Sequence, residues 1–128
     1  MSTRMQTGAW GESIALHHLE AQGMHLRRRN WRSAEGEIDL ILEEEGCLVF
    51  VEVKTRVGHA FGSPEEAITS SKKDRLERVA LAYLQAEALE DSDWRVDVVA
   101  VELTASGRIR RLDHYRDALD GNPWLRWR

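Results

Sequence analysis

The sequence predicts a single domain of the mixed α/β class, and three observations support this. The chain has 128 residues, which is enough for one hydrophobic core but not for two. Apolar residues with helical spacing occur near the start and around residue 80, and short apolar runs with strand character lie between and after them. The chain contains no internal repeat and no low-complexity tract. We therefore expect one domain over residues 1–128, with a core over about 8–115 and a tail over 116–128.

The first predicted element is a helix over residues 9–22. Trp10, Ile14 and His18 lie on one stripe of this helix, as expected for an element that packs on one side. Gly23 follows as a C-terminal stop. The next segment, MHLRRRNWR, predicts an edge strand followed by a loop.

A β-hairpin is predicted over residues 36–54, GEIDLILEEEGCLVFVEVK. A two-residue turn at Glu45 and Gly46 fixes its register. On one face this register pairs apolar residues only: Ile38 with Val53, Leu40 with Val51 and Leu42 with Val49. A slip by one residue would destroy this face, so the register is strongly specified.

The second half of the chain predicts helices and a second hairpin. A loop passes through Gly58 and Gly62, and SPEE begins a helix with Ser63 as the cap and Glu66 completing a capping box. A longer helix is expected over residues 71–88, with Leu76, Val79, Ala80, Tyr83 and Leu84 on its buried face. WRVDVVAVEL and RIRRLDHY then predict two strands joined by the turn TASG.

Charged residues interrupt the other face of the first hairpin. The predicted register places Asp39 opposite Glu52, and two carboxylates about 5 Å apart repel each other. A shared proton, the nearby ammonium of Lys54 or a divalent cation would relieve the repulsion, and Mg²⁺ is suited to one or two carboxylates plus water. The alternative is an ordinary surface ion pair, which contributes little to stability.

Glu12 is a further candidate, because it lies on the side of the first helix that continues into Leu16 and Leu19. A carboxylate there is half buried unless it faces a partner. The alternative is an acid that complements the helix dipole near the N-terminus.

The charge distribution is uneven. The net charge is −4, whereas whole-domain basicity is typical of DNA-binding proteins. Basic residues nevertheless cluster in two segments, HLRRRNWR and KKDRLER. These segments and Arg56 supply the candidate phosphate contacts, for which a solvated surface is the alternative: Arg27, Arg28, Arg29, Arg56, Lys72 and Lys73.

Several other classes of site are disfavoured. No apolar run is long enough to span a membrane, and the first residues have no apolar stretch of the length expected for a secretory signal. From the single Cys47 we expect a buried thiol and a cytoplasmic location. His17 and His18 are adjacent and so point in different directions on a helix. His59 and His114 are each expected to be surface residues. There is no glycine-rich phosphate loop.

The segments GE at 11–12, GEIDLI at 36–41, FVEVKTR at 50–56 and FGSPEEA at 61–67 resemble those of the YraN family of small bacterial proteins. That family is similar to archaeal Holliday-junction resolvases and, more remotely, to nucleases of the PD-(D/E)XK superfamily. The resemblance covers residues 8–103, approximately. It implies a restriction-endonuclease-like fold, in which a central mixed β-sheet is flanked by α-helices.

By position, the resemblance implies that Asp39, Glu52 and the main-chain carbonyl of Val53 bind Mg²⁺ or Mn²⁺. It further implies that Lys54 is the catalytic lysine and that Glu12 completes the site. Lys72 occupies a helix position at which many relatives have a polar or basic residue. The sequence departs from the superfamily motif at its proline, which is Ile38 here.

Three functional hypotheses follow. The first is a metal-dependent endonuclease acting on DNA, with branched or otherwise structured DNA as a candidate substrate. A resolvase-like activity would also suggest a homodimer, because cutting two strands symmetrically needs two sites. The second is a non-catalytic nucleic-acid- or protein-binding adaptor that retains the fold. The third is a structural subunit that docks through Trp124 and Trp127 of the tail.

Overall fold

The computed structural model describes residues 4–58 and 70–119. These residues form two helices and five strands: α1 (Arg4–Ala21), β1 (His25–Ser33), β2 (Gly36–Glu44), β3 (Cys47–Val57), α2 (Ser70–Ala86), β4 (Trp94–Leu103) and β5 (Ile109–Tyr115). The strands form one mixed sheet in the order β1-β2-β3-β4-β5. Strands β3 and β4 are parallel and the other three pairs are antiparallel. The predicted α/β class and single domain are confirmed.

The two helices cover opposite faces of the sheet. Ile14, Ala15 and Leu19 of α1 belong to one core cluster, with side chains of β2, β3 and β4. Leu76, Val79 and Tyr83 of α2 belong to the other cluster, together with side chains such as Phe50. Helix α2 lies between the parallel strands in the sequence, as a crossover connection requires. This arrangement is compatible with the restriction-endonuclease-like fold.

The predicted helices and strands occur with small shifts at their ends. Helix α1 begins before the predicted residue 9 and ends before Gly23, whose φ of 96° is typical of a helix C-terminal glycine. Strand β1 continues through Ser33, so the loop expected at the end of this segment is short. No helix within 4–58 or 70–119 is long and apolar enough to cross a membrane. His59, Gly62, the helix start at Ser63 and Glu66, and the tail tryptophans lie outside the described residues.

The hairpin register is confirmed over its upper part, where Leu42 pairs with Val49 and Leu40 with Val51. The paired ladder ends there, so neither Ile38 with Val53 nor Asp39 with Glu52 forms a ladder pair. The cause is the side chain of Asp39, whose Oδ2 accepts a hydrogen bond of 2.8 Å from the main-chain amide of Val53. A carboxylate thus replaces the main-chain carbonyl that a continued ladder would supply.

The predicted position of Ile38 is wrong. Ile38 packs in the α2 cluster, whereas Leu40 and Leu42 pack in the α1 cluster. The alternation of β2 is broken at Asp39, because the pairing with β1 passes from Leu40 to Ile38 without a pair at Asp39. The broken alternation places Ile38 on the α2 face and leaves Asp39 where the strands separate.

Candidate active site

The candidate site forms where β2 and β3 separate. The Asp39 carboxyl group is held towards β3 by the amide of Val53, and the charge of the neighbouring Glu52 carboxyl group acts on it. Glu52 is a buried charged residue, with 8% of its surface exposed. The structure therefore places near each other the two acids that the sequence predicts to be opposite, although they do not form a ladder pair.

The electrostatics of this pair are unfavourable when both acids are ionised. Burial raises the pKa of Asp39 to about 8, with further contributions from the charges of Glu52 and Glu12. The hydrogen bond from Val53 acts in the opposite direction but does not outweigh them. Near neutral pH the metal-free pair therefore retains a proton, which explains how two carboxyl groups can lie near each other.

Two lysines lie beside the acids. Lys54 Nζ is 3.0 Å from Glu52 Oε2, and both side chains are largely buried. Lys72, in the first turn of α2, lies close to Lys54, whose positive charge together with burial lowers the pKa of Lys72. The site thus contains positive charge next to the acidic pair, in a position suited to an anionic ligand.

Gly11 determines how closely α1, which carries Glu12, approaches β3. A Cβ atom at Gly11 would lie 1.9 Å from Thr55 Oγ1 of β3, so only glycine allows α1 to approach the strand this closely. Glu12 follows directly in the sequence, and its side chain is 17% exposed. Its charge contributes to the raised pKa of Asp39. Glu12, Asp39, Glu52 and Lys54 are thus assembled from α1, β2 and β3.

The donor set can be compared with the needs of a divalent metal. In the residues that the structure describes, no three His, Cys, Asp or Glu side chains are arranged to hold a metal ion. The predicted ligands are two carboxylates and the main-chain carbonyl of Val53, which is the partial oxygen set that Mg²⁺ completes with water. A cation between Asp39 and Glu52 would also remove their repulsion. The types of these oxygen donors are therefore compatible with Mg²⁺ or Mn²⁺, with water completing the coordination.

The candidate phosphate contacts are dispersed. Arg27 donates to the hydroxyl of Tyr83 and pairs with Glu43, and Arg28 is exposed on β1. Arg56 follows the site on β3. Lys73 is partly buried in the first turn of α2. Arg29 contacts α1, as described below.

A second charged cluster is absent from the sequence-based predictions. Asp97 on β4 is fully buried, and its carboxylate accepts hydrogen bonds from Arg95 Nε at 2.9 Å and His114 Nε2 at 2.8 Å. The main-chain amide of Asp117 donates a third at 2.9 Å. The signal that would have found Asp97 is the one that identified Asp39, a lone acid inside an apolar strand.

This cluster, termed the Asp97 cluster, extends to the ends of neighbouring elements. Its remaining members are linked through side-chain contacts: His18, Gln22, Glu44 and Arg116. The expectation that His114 is a surface residue is wrong, because only 8% of its side chain is exposed. Its hydrogen bond to Asp97 accounts for its burial.

The comparisons with known proteins agree on one family. Residues 11–101 match the family described as "Uncharacterised protein family UPF0102". A UPF0102 protein of Rhodococcus jostii is 44% identical over 92% of this chain and 99% of its own length. One from Symbiobacterium thermophilum is 47% identical over 86% of this chain and 92% of its own.

Among solved structures, SfsA of Pyrococcus furiosus in complex with Ca²⁺ matches with a TM-score of 0.39 and 16% identity. The match covers 90% of this chain, and the chain spans 64% of that structure. The family model and the sequence relatives give the assignment: the chain belongs to the UPF0102 family.

Proposed function

We propose that this protein is a Mg²⁺- or Mn²⁺-dependent endonuclease that hydrolyses phosphodiester bonds in DNA. The observation that carries the proposal is the placement of the Asp39 carboxyl group near Glu52, which itself pairs with Lys54 at 3.0 Å. Burial and the charge of Glu52 together raise the pKa of Asp39 to about 8. A sheet without a ligand would gain nothing from placing the half-buried Asp39 near the buried Glu52. A bound cation would turn this destabilising arrangement into a binding site.

In this proposal, Asp39, Glu52 and the carbonyl of Val53 hold the metal. When bound, the metal supplies a Lewis acid for the phosphoryl oxygen and a water of lowered pKa. Asp39 is presented by the amide of Val53, and Glu52 by its ion pair with Lys54. The separation of β2 and β3 provides the gap in which these oxygens are accessible.

Lys54 and Lys72 act on the phosphate in this proposal. The ammonium of Lys54 is placed to stabilise negative charge that develops on the phosphoryl oxygens or to orient the attacking water. Lys72 adds positive charge from the first turn of α2, where the helix dipole also favours an anion. Together they offset the acidic pair for an approaching phosphodiester.

The substrate is proposed to be DNA, with branched and otherwise structured forms as the first candidates. Arg27, Arg28, Arg56 and Lys73 are the proposed contacts to its phosphates. A homodimer would supply two such sites for symmetrical cleavage. The location consistent with this substrate and with the single Cys47 is the cytoplasm.

The direct test is cleavage of labelled junction, flap, single-stranded and duplex DNA by the purified protein, with Mn²⁺ and with EDTA. We expect Mn²⁺-dependent cleavage of at least one substrate. Asp39→Asn should abolish it, and Lys54→Ala should slow it by about 10²-fold or more, the usual effect of losing one group that stabilises transition-state charge.

Asp74→Asn is the matched control, since Asp74 is an exposed aspartate on α2. It should cleave like the wild type. Cleavage that survives Asp39→Asn or persists in EDTA would reject the assignment.

The adaptor is the second candidate function, and the net charge of −4 favours it because electrostatic steering towards DNA would be weak. Calorimetry with Mn²⁺ separates the two functions. An adaptor that has lost the site should show no heat of metal binding and no dependence on Glu12 or Asp39. The endonuclease should bind Mn²⁺, and Glu12→Gln should weaken that binding, whereas Glu20→Gln on the exposed side of α1 should not.

A further inference from the structure

Two consecutive residues of β1, Arg29 and Asn30, face the candidate site from the neighbouring strand. In the sequence they belong to the basic segment HLRRRNWR, whose arginines predicted phosphate contacts. Arg29 lies opposite Leu40, which packs on the α1 face of the sheet. These two residues therefore lie where the sheet meets the helix that carries Glu12.

Within residues 4–58 and 70–119, Arg29 contacts α1 through three polar groups. Its Nη2 donates to the carbonyl of Ala9 at 3.2 Å and to Ser13 Oγ at 3.0 Å. Its Nε lies 3.6 Å from Glu12 Oε1. A guanidinium group has several donors in a fixed plane, so it can hold a helix and a carboxylate at the same time. Arg29 is therefore already committed to the segment that surrounds Glu12.

Asn30 has a left-handed backbone conformation, with φ of 54°. The ladder between β1 and β2 pairs Arg29 with Leu40 and Trp31 with Ile38, leaving Asn30 and Asp39 as the unpaired positions between them. Oriented with its nitrogen towards the acids, the Asn30 amide donates to Glu12 at 3.2 Å and to Glu37 at 3.3 Å. The opposite orientation would place an oxygen against two carboxylates, so the amide nitrogen must face them.

We propose that Arg29 and Asn30 are positioning residues, which hold the carboxylate of Glu12 towards Asp39 and Glu52 and thereby support metal binding at this pair. The inference rests on the proposed function. The left-handed backbone of Asn30 within β1 places its amide beside Glu12, while Arg29 fixes the backbone and side chains on either side of that acid. Without these donors, Glu12 would turn away from the other carboxylates, because like charges repel.

This role differs measurably from that of a phosphate contact. A positioning residue affects metal binding when no DNA is present, since groups that orient metal ligands typically contribute about 10- to 100-fold to affinity. A phosphate contact affects DNA binding when no metal is present, and its loss makes the affinity for DNA less dependent on salt concentration. The two measurements can be made on the same purified protein.

Two variants isolate the proposed contacts. Asn30→Gly removes the amide but tolerates the left-handed backbone, so it does not introduce strain. Arg29→Lys keeps the charge but loses the planar set of donors. Arg110→Lys is the matched control, because Arg110 is an exposed arginine of another strand, β5.

Mn²⁺ binding is measured by calorimetry without DNA, and binding of an oligonucleotide is measured in EDTA. We expect Asn30→Gly and Arg29→Lys each to raise the dissociation constant for Mn²⁺ by about tenfold and to leave DNA binding in EDTA unchanged. Arg110→Lys should leave both Mn²⁺ binding and DNA binding in EDTA unchanged.

Wild-type Mn²⁺ affinity in both variants would overturn the positioning role while leaving the proposed function intact. Weaker DNA binding in EDTA with normal Mn²⁺ binding would instead make these residues phosphate contacts. If the wild type itself binds no Mn²⁺, the proposed function fails and the positioning role fails with it.

Discussion

Two aspartates of the same sheet, Asp39 and Asp97, have opposite electrostatic environments. Both interrupt apolar strands, and burial alone would raise the pKa of each. At Asp97, hydrogen bonds from His114, Arg95 and the amide of Asp117 outweigh burial and lower the pKa. At Asp39, the hydrogen bond from Val53 does not outweigh burial and the neighbouring acids, and the pKa rises to about 8.

The difference lies in the partners that each carboxylate has within the fold. Asp97 accepts hydrogen bonds from β4, β5 and the turn after β5. These bonds compensate its negative charge and connect the three segments. Asp39 lies near another acid, so its charge is compensated only if a proton or an external cation is present. An aspartate whose charge is compensated by donors within the fold, such as Asp97, indicates a structural role. An aspartate beside another acid, such as Asp39, is a candidate ligand for a cation.

The comparison predicts the largest effect for Asp97→Asn. This substitution leaves the guanidinium of Arg95 and the ring of His114 without their carboxylate, and breaking a buried charge pair by removing one partner costs about 3–5 kcal/mol. Urea unfolding monitored by circular dichroism should show this loss in the free energy of unfolding. The Asp39 site itself is not altered by the change.

Asp39→Asn, the same substitution at the other aspartate, should leave the metal-free protein as stable as the wild type or more stable. It removes a carboxyl group whose ionisation in the fold is unfavourable and keeps an oxygen that can accept from Val53. If Asp39→Asn destabilised the fold as much as Asp97→Asn, the two environments would not differ in the way described.

The pH dependence of stability should have opposite signs at the two aspartates. The pKa of Asp39 is raised from 3.8 to about 8, so the stability it contributes is present below 3.8 and is lost as the pH rises towards 8. The pKa of Asp97 is lowered, so its contribution is present above 3.8 and is lost as the pH falls below it.

Unfolding of each variant and the wild type across this pH range, in EDTA, tests the signs. The advantage of the wild type over Asp97→Asn should shrink in acid. Relative to Asp39→Asn, the wild type should become less stable as the pH rises. Curves that remain parallel for both variants would contradict the assigned environments.

Much of the fold and part of the site could be predicted from the sequence, because both depend on local patterns. The turn at Glu45 and Gly46 fixes the register of β2 and β3 near it, and strand alternation then places Asp39 close to Glu52. The buried faces of α1 and α2 follow from helical spacing in the same way.

The remaining features depend on contacts between distant segments. The Asp97 cluster joins α1, β2, β4 and β5, and no local pattern indicates that Arg95 and His114 converge on one carboxylate. The face of Ile38 was mispredicted because a side chain, Asp39, replaces a ladder partner. Such exceptions to strand alternation occur at the candidate site, where function competes with regular pairing.

Gly11→Ala should have an intermediate effect that reaches the Asp39 site through packing. The new Cβ would meet Thr55 Oγ1 at 1.9 Å, and such overpacking costs about 1–3 kcal/mol. Separation of α1 from β3 would also move Glu12, so Mn²⁺ affinity should fall along with the free energy of unfolding.

Gly8→Ala is the matched control on the same helix, because nothing lies within 4 Å of a Cβ at Gly8. Alanine is the better helix former, so this variant should be neutral or more stable by about 0.5–1 kcal/mol. Equal effects of the two substitutions would show that the close contact with Thr55 is unimportant.

The last prediction concerns protons, and it separates the two aspartates without unfolding the protein. Because the pKa of Asp39 is about 8, its carboxyl group is largely protonated at pH 6.5–7, and a metal ligand must be deprotonated. Binding of Mn²⁺ should therefore release about one proton per ion. Calorimetry in buffers of different ionisation enthalpy measures this number.

Asp39→Asn should abolish both the binding of Mn²⁺ and the release of the proton. The release should be unaffected by Glu44→Gln, which alters the Asp97 cluster at the end of β2. Hydrogen bonds from Arg95 and Arg116 lower the pKa of Glu44, so this carboxylate is already ionised near neutral pH and has no proton to release. If Glu44→Gln removed the proton release, the group that loses the proton would belong to the Asp97 cluster and not to the Asp39 site.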